Sequence, residues 1–122
     1  MAKIERFEDL DCWKESRVLV KLIFEECDKG KLAKDFDTKS QLKRAAISIM
    51  NNIAEGFARK SNKEFIRFLD FSNASAAEVK SMLYILEDVK YLEPETVKEY
   101  HNKVDTTRKL ILGLIRYLRT KI

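Results

Sequence analysis

Apolar residues recur along most of the chain at alternating spacings of three and four, the pattern of helices that bury one face. From about Asp9 to Asp28 the repeat is carried by Trp13, Ser16, Val20, Ile23 and Cys27, and Gly30 follows as a helix-ending residue. A second stripe, Leu42, Ala46, Ile49 and Ile53, predicts a helix from about Thr38 to Ala58 with Asp37 or Thr38 as its N-cap. Ser61 and Glu64 are spaced as a capping box and open a third helix that runs to about Val89. Its seam is the most regular in the chain: Phe65, Leu69, Ser72, Ala76, Val79, Leu83 and Leu86. Pro94 occupies a first-turn position of a fourth helix, whose stripe is Val97, Tyr100, Val104, Thr107, Ile111, Leu114 and Leu118. Gly113 interrupts that helix at about 1 kcal/mol relative to Ala, which predicts a close backbone approach or a local weakness.

The connections at about 29–37, 59–61 and 90–93 are short, so successive helices should run antiparallel. The expected fold is all-α, an antiparallel up-down-up-down four-helix bundle formed by one domain over residues 1–122. Composition agrees, because three Gly and one Pro in 122 residues are too few for the many turns of a β-sandwich or barrel. The amino terminus has no apolar run behind its charges, and no stretch approaches the roughly 20 apolar residues of a membrane span. Cys12 and Cys27 fall on one predicted helix, roughly 22 Å apart, too far to bridge. Two unpaired thiols suit a reducing compartment, and a cytoplasmic location is expected.

The second helix carries more than a core stripe. Ile47, Met50, Ala54 and Phe57 widen its apolar arc to roughly 200°, about twice what a bundle seam needs. Either the long first connection covers the excess or another subunit does, and these residues are the expected oligomer interface. Beside the arc runs a polar row, Gln41, Arg44, Ser48, Asn52, Glu55 and Arg59, confined to about 80° of the helix surface. The row reads either as a contact for RNA or protein, or as a hydrogen-bonded seam in which Arg44 pairs with Glu78 of the third helix.

Charge is unevenly distributed behind a net +4. Residues 1–28 carry five basic and eight acidic side chains, 29–67 ten and four, 68–105 four and eight, and 106–122 five and none. In the expected topology the second-to-third connection and the carboxyl terminus share one end. That end gathers Arg59, Lys60, Lys63, Arg67, Arg116, Arg119 and Lys121, with Lys3 and Arg6 nearby, a candidate footprint for the phosphates of a nucleic acid. Offsetting helix dipoles accounts for Arg59, Arg116 and Arg119 but not for Lys63 and Arg67, which sit at a helix start. Catalytic and metal chemistry find few candidates. His101 is the single histidine, Lys98 stands three residues before it, and two distant cysteines cannot complete a zinc site. A di-metal carboxylate centre would need Glu-x-x-His pairs, and a phosphate loop would need clustered glycines. No metal, no cofactor and no enzymatic activity are expected.

The run QLKRAAISIMNNIAEGFAR at residues 41–59, with FEDLDCW at 7–13 and EFIRFLDFSNASAAE at 64–78, resembles the four-helix-bundle proteins known as 23S rRNA intervening-sequence proteins. Gln41, Arg44, Ala45, Ala46, Ser48, Ile49, Asn52, Ile53, Ala54, Glu55, Gly56 and Glu78 carry the resemblance, which spans nearly the whole chain. Met50 and Asn51 depart from it where proline and serine are common, and Ala74 where glycine is common. Through a relative, the accessory variability protein of diversity-generating retroelements, the resemblance implies a homopentamer, binding of RNA or DNA, and a reverse transcriptase as partner. The expected function is therefore a non-catalytic homo-oligomer that binds nucleic acid, RNA foremost, through its basic end. The alternative is a protein-interaction scaffold that uses the apolar arc of the second helix.

Overall fold

The predicted stripes converge on a common core in a computed structural model, which describes residues 3–122. The helices are α1 (Asp11–Cys27), α2 (Phe36–Phe57), α3 (Asn62–Asp88) and α4 (Pro94–Arg119). Short 3-10 turns at Phe7–Asp9 and Leu32–Lys34 precede α1 and α2, and there is no β-strand among the described residues. Each helix packs against the next in chain order, and α1 closes the ring against α4, so the expected all-α four-helix bundle is the fold found.

Helix ends follow local chemistry. α2 begins earlier than predicted because Asp35, rather than Asp37 or Thr38, is its cap: Asp35 Oδ1 accepts from the Thr38 backbone N–H at 3.1 Å and Oδ2 from the Thr38 hydroxyl at 2.8 Å. The Tyr91 hydroxyl, from the α3–α4 connection, donates to the same carboxylate at 2.9 Å. These three donors hold the Asp35 carboxyl below its usual pKa, the Thr38 backbone N–H contributing most. Ser61 caps α3 as predicted, its Oγ accepting from the Glu64 N–H at 3.1 Å. α3 ends where Lys90 takes φ 63°, which lets the Tyr91 N–H reach the Leu86 carbonyl at 2.8 Å. The connection before α2 is anchored by Leu32, which is fully buried.

Every predicted seam residue of α2 and α3 is buried. On α1 the deep positions are Cys12, Ser16, Leu19, Ile23 and Cys27, whereas Trp13 and Val20 lie half-buried at the flank. Phe7 packs edge-on against Trp13 at 5.1 Å, and the Arg17 guanidinium covers the same indole. On α4 the stripe passes to Ile115 after Gly113, leaving Leu114 half-buried. Tyr100 reaches across to donate to the Leu22 carbonyl at 2.8 Å.

The tightest interface joins α2 and α3. Gly56 faces Phe65 and Phe68 so closely that a Cβ would stand 2.8 Å from Phe68 Cβ and 2.9 Å from Phe65 Cδ1. Further along, the buried Ser72 hydroxyl donates to the Ile49 carbonyl at 2.7 Å, which satisfies a polar group inside the core. Outside it runs the polar row: Ser48 and Ser75 hydroxyls share a hydrogen bond at 2.8 Å, and Asn52 Nδ2 donates to the Ser48 carbonyl at 2.8 Å and hydroxyl at 3.0 Å. Gln41, not Arg44, meets Glu78, at 3.5 Å; Arg44 donates to Ser40 one turn back on the same helix at 2.9 Å. The α3–α4 side is tied by Lys80 to Asp105 at 2.6 Å and by Arg108 Nε to Asn73 Oδ1 at 3.0 Å.

Five outcomes are expected. Gly56→Ala loses stability by roughly 1–2 kcal/mol, because overpacking outweighs the gain of about 1 kcal/mol in helix propensity, whereas Gly113→Ala, which meets only Arg116 Nη2 at 3.8 Å, gains roughly 0.5–1 kcal/mol; urea denaturation measures both. Because the folded-state pKa of Asp35 is depressed, its contribution to stability is complete above about pH 4 and is lost as pH falls through the lower folded value. Tyr91→Phe removes one donor and should raise the Asp35 midpoint in a carboxyl NMR titration; an unmoved midpoint would show that the bond does not form. Arg44→Ala changes unfolding free energy by less than about 0.5 kcal/mol, since its hydrogen bond stays within one exposed turn.

Candidate nucleic-acid interface

The end of the bundle where α2 turns into α3 is also where α1 begins and α4 finishes. A cleft of about 670 Å³ opens there, and its lining joins Arg59, Ser61 and Asn62 to Tyr117, Leu118 and Lys121. Lys3 and Asp9 to Cys12 complete it from the amino-terminal side. Of the cations expected at this end, Arg59, Lys121 and Lys3 line the cleft, whereas Lys60, Lys63, Arg67, Arg116 and Arg119 lie outside its lining.

The individual cations differ in how free they are. The Arg59 guanidinium lies 4.5 Å over the Phe68 ring, and Lys121 Nζ lies 5.3 Å over Tyr117. Such stacking fixes a cation without neutralising it. Arg67 is 5.3 Å over Phe71 and also 3.6 Å from the Glu64 carboxylate, an exposed pair that offsets part of its charge. Lys60 and Lys63 are exposed at the α2–α3 turn and make no ion pair among the described residues. Arg116 and Arg119 occupy the last turn of α4, where positive charge is favoured by the helix dipole. Lys109 joins the cleft and was not singled out by charge blocks alone. The signal for it is a spacing of four along α4, since Lys109, Gly113, Tyr117 and Lys121 all line the cleft.

The apolar arc of α2 lies partly inside the fold. Ile47, Met50, Ala54 and Phe57 are half-buried, and Phe57 packs edge-on against Phe65 at 6.0 Å. The most exposed large apolar side chains in the helices are elsewhere: Phe36 at 73%, Tyr84 at 58% and Ile85 at 55%. Of the polar row, Gln41 and Ser48 reach across to α3, Asn52 bonds back to Ser48 within α2, and Arg44, Glu55 and Arg59 are exposed.

Reactive chemistry has little foothold. Burial pushes the Cys12 thiol up to about 12 and raises that of Cys27 as well, so neither is a thiolate near neutral pH. His101 sits against the Tyr84 ring at 4.6 Å; desolvation first, then the Lys80 charge, lowers its pKa and keeps the imidazole neutral. Among the described residues no three His, Cys, Asp or Glu side chains converge as a metal site, and no helix is long and apolar enough to cross a membrane.

The fold has a solved counterpart. A protein of unknown function from the S23 ribosomal protein family of Bacteroides thetaiotaomicron superposes with a TM-score of 0.80 over 86% of this chain and 95% of that chain, at 24% identity. At that identity the likeness is one of fold. No curated protein matches the sequence. The profile of the 23S rRNA-intervening sequence proteins matches residues 8–113, most of all four helices and both short turns. The chain belongs to the 23S rRNA-intervening sequence protein family.

Proposed function

We propose that this protein is a non-catalytic nucleic-acid-binding module whose basic end holds RNA by its phosphates. The carrying observation is a set of exposed cations without carboxylate partners among the described residues, Arg59, Lys60 and Lys63 where α2 passes into α3 and Arg116, Arg119 and Lys121 at the end of α4. Arg67 adds a partly offset charge. Cations spread over two segments, the α2–α3 junction and the end of α4, suit a polyanion that runs across both. Contacts of this kind position a backbone without reading bases, so DNA is bound by the same end with little sequence preference.

Self-association belongs to the same reading. Phe71, Ile85 and Val89 are exposed along one side of α3 at about 100° per residue, a surface a second copy would cover. Repeating the basic end around an axis multiplies weak phosphate contacts by avidity. A homopentamer and a reverse transcriptase partner are what the family resemblance adds. The scaffold reading draws instead on the half-buried apolar arc of α2, Ile47, Met50, Ala54 and Phe57, and it differs in predicting partner binding that persists at high salt.

RNA and DNA binding titrated against salt distinguishes the two. The expected result is an affinity that falls steeply with salt, with Lys60→Glu/Lys63→Glu reducing the slope by about 1.4 on single strands, at about 0.7 per phosphate contact. Absence of binding to either polymer at low salt, on material of defined oligomeric state, would overturn the nucleic-acid reading.

A further inference from the structure

We infer that the cleft at the basic end is a binding site for a small amphiphilic anion, an aliphatic or aromatic body carrying one carboxylate or phosphate head. Its volume, about 670 Å³, lies within the roughly 300–1,000 Å³ typical of small-molecule sites. Phe57, Phe65, Leu110, Leu114 and Leu118 give it an apolar floor. Around that floor stand Lys3, Arg59, Lys109 and Lys121 against the carboxylates Asp9 and Asp11, so positive groups outnumber negative ones. Neither Lys3 nor Lys109 makes an ion pair among the described residues, and Lys121 is drawn over Tyr117, itself part of the wall. An apolar floor excludes a free inorganic anion as the best fit, and an excess of cations excludes a purely neutral or cationic ligand. The concavity is also far larger than one nucleobase, which sets this site apart from a simple rest for an RNA base.

Gly113 supports the assignment independently. It lines the cleft from inside α4, and a Cβ built there meets nothing nearer than Arg116 Nη2 at 3.8 Å. No helix packing requires a glycine at this position, unlike Gly56. What its bare backbone leaves is open space on the cleft wall, space a side chain would occupy. The site shares Arg59 and Lys121 with the proposed RNA surface but does not rest on RNA binding; either reading stands if the other fails.

Calorimetric titration of the purified protein with octanoate, decanoate and octyl phosphate, all below micelle formation, tests it, with decanol and decyltrimethylammonium as neutral and cationic counterparts. The expected result is saturable binding of one anion per chain that tightens up to about fourfold per added methylene. The tighter of octanoate and octyl phosphate identifies the head group. Gly113→Leu should abolish binding while melting at or above the temperature of the unaltered protein, since Leu is the better helix former. Lys109→Ala/Lys121→Ala should weaken the anions by about tenfold or more and leave decanol unchanged. No saturable binding of any of the three anions, equal binding of decyltrimethylammonium, or undiminished binding by Gly113→Leu overturns the assignment. If Gly113→Leu does not fold, the surface variant Lys109→Glu/Lys121→Glu decides, and retention of anion binding by it overturns the site.

Discussion

The close approach of α2 to α3 is the constraint on which the remaining geometry depends. At Gly56 the two helices come together at a distance only a hydrogen side chain permits, and the contact fixes where Phe65 and Phe68 point. Phe65 then joins Phe57 in the floor of the cleft, and Phe68 becomes the platform for Arg59. Farther along, Ala46 and Ala76 are fully buried, and Ser72 hydrogen-bonds directly to the backbone of α2. Small residues in register therefore allow the two helices to dock through backbone-scale contacts, while larger residues on α1 and α4 fill the remaining core. The position of the basic end is inherited from that docking.

The fold was legible because its signals are local. A repeat of three and four survives at every seam of α2 and α3, and Ser61 caps α3 where the capping pattern placed it. What escaped reading depends on groups far apart in sequence. Asp35 wins the N-cap of α2 partly because Tyr91, 56 residues later, adds a hydrogen bond to its carboxylate. Cys12 and Leu19, not Trp13 and Val20, form the deep stripe of α1, because the indole is covered on the surface by Phe7 and Arg17. Lys90 ends α3 in a conformation usually marked by glycine, so nothing in its identity announced the turn.

The candidate site was less legible for a related reason. Charge counts pointed to one end of the bundle, but they could not show that three segments enclose a cavity there or that Lys109 lines it. Nor could helical periodicity assign Arg44 and Gln41 correctly, since the two residues are one turn apart and only the rotation between α2 and α3 selects Gln41 for Glu78. Gly56 and Gly113 look alike in the sequence and have opposite meanings: one closes a contact, the other leaves a wall open.

The two ends of the bundle are consequently fastened in different ways. At one end, Asp35, Thr38 and Tyr91 bind the start of α2 to the α3–α4 connection through side-chain hydrogen bonds, and Leu32 plugs the turn beside them. At the other, the helix ends surround a concavity lined by the cations Lys3, Arg59, Lys109 and Lys121 and the carboxylates Asp9 and Asp11. At the first end one carboxylate, that of Asp35, thus serves two junctions at once, capping the start of α2 and holding the segment that leads out of α3, so neither connection is set independently of the other.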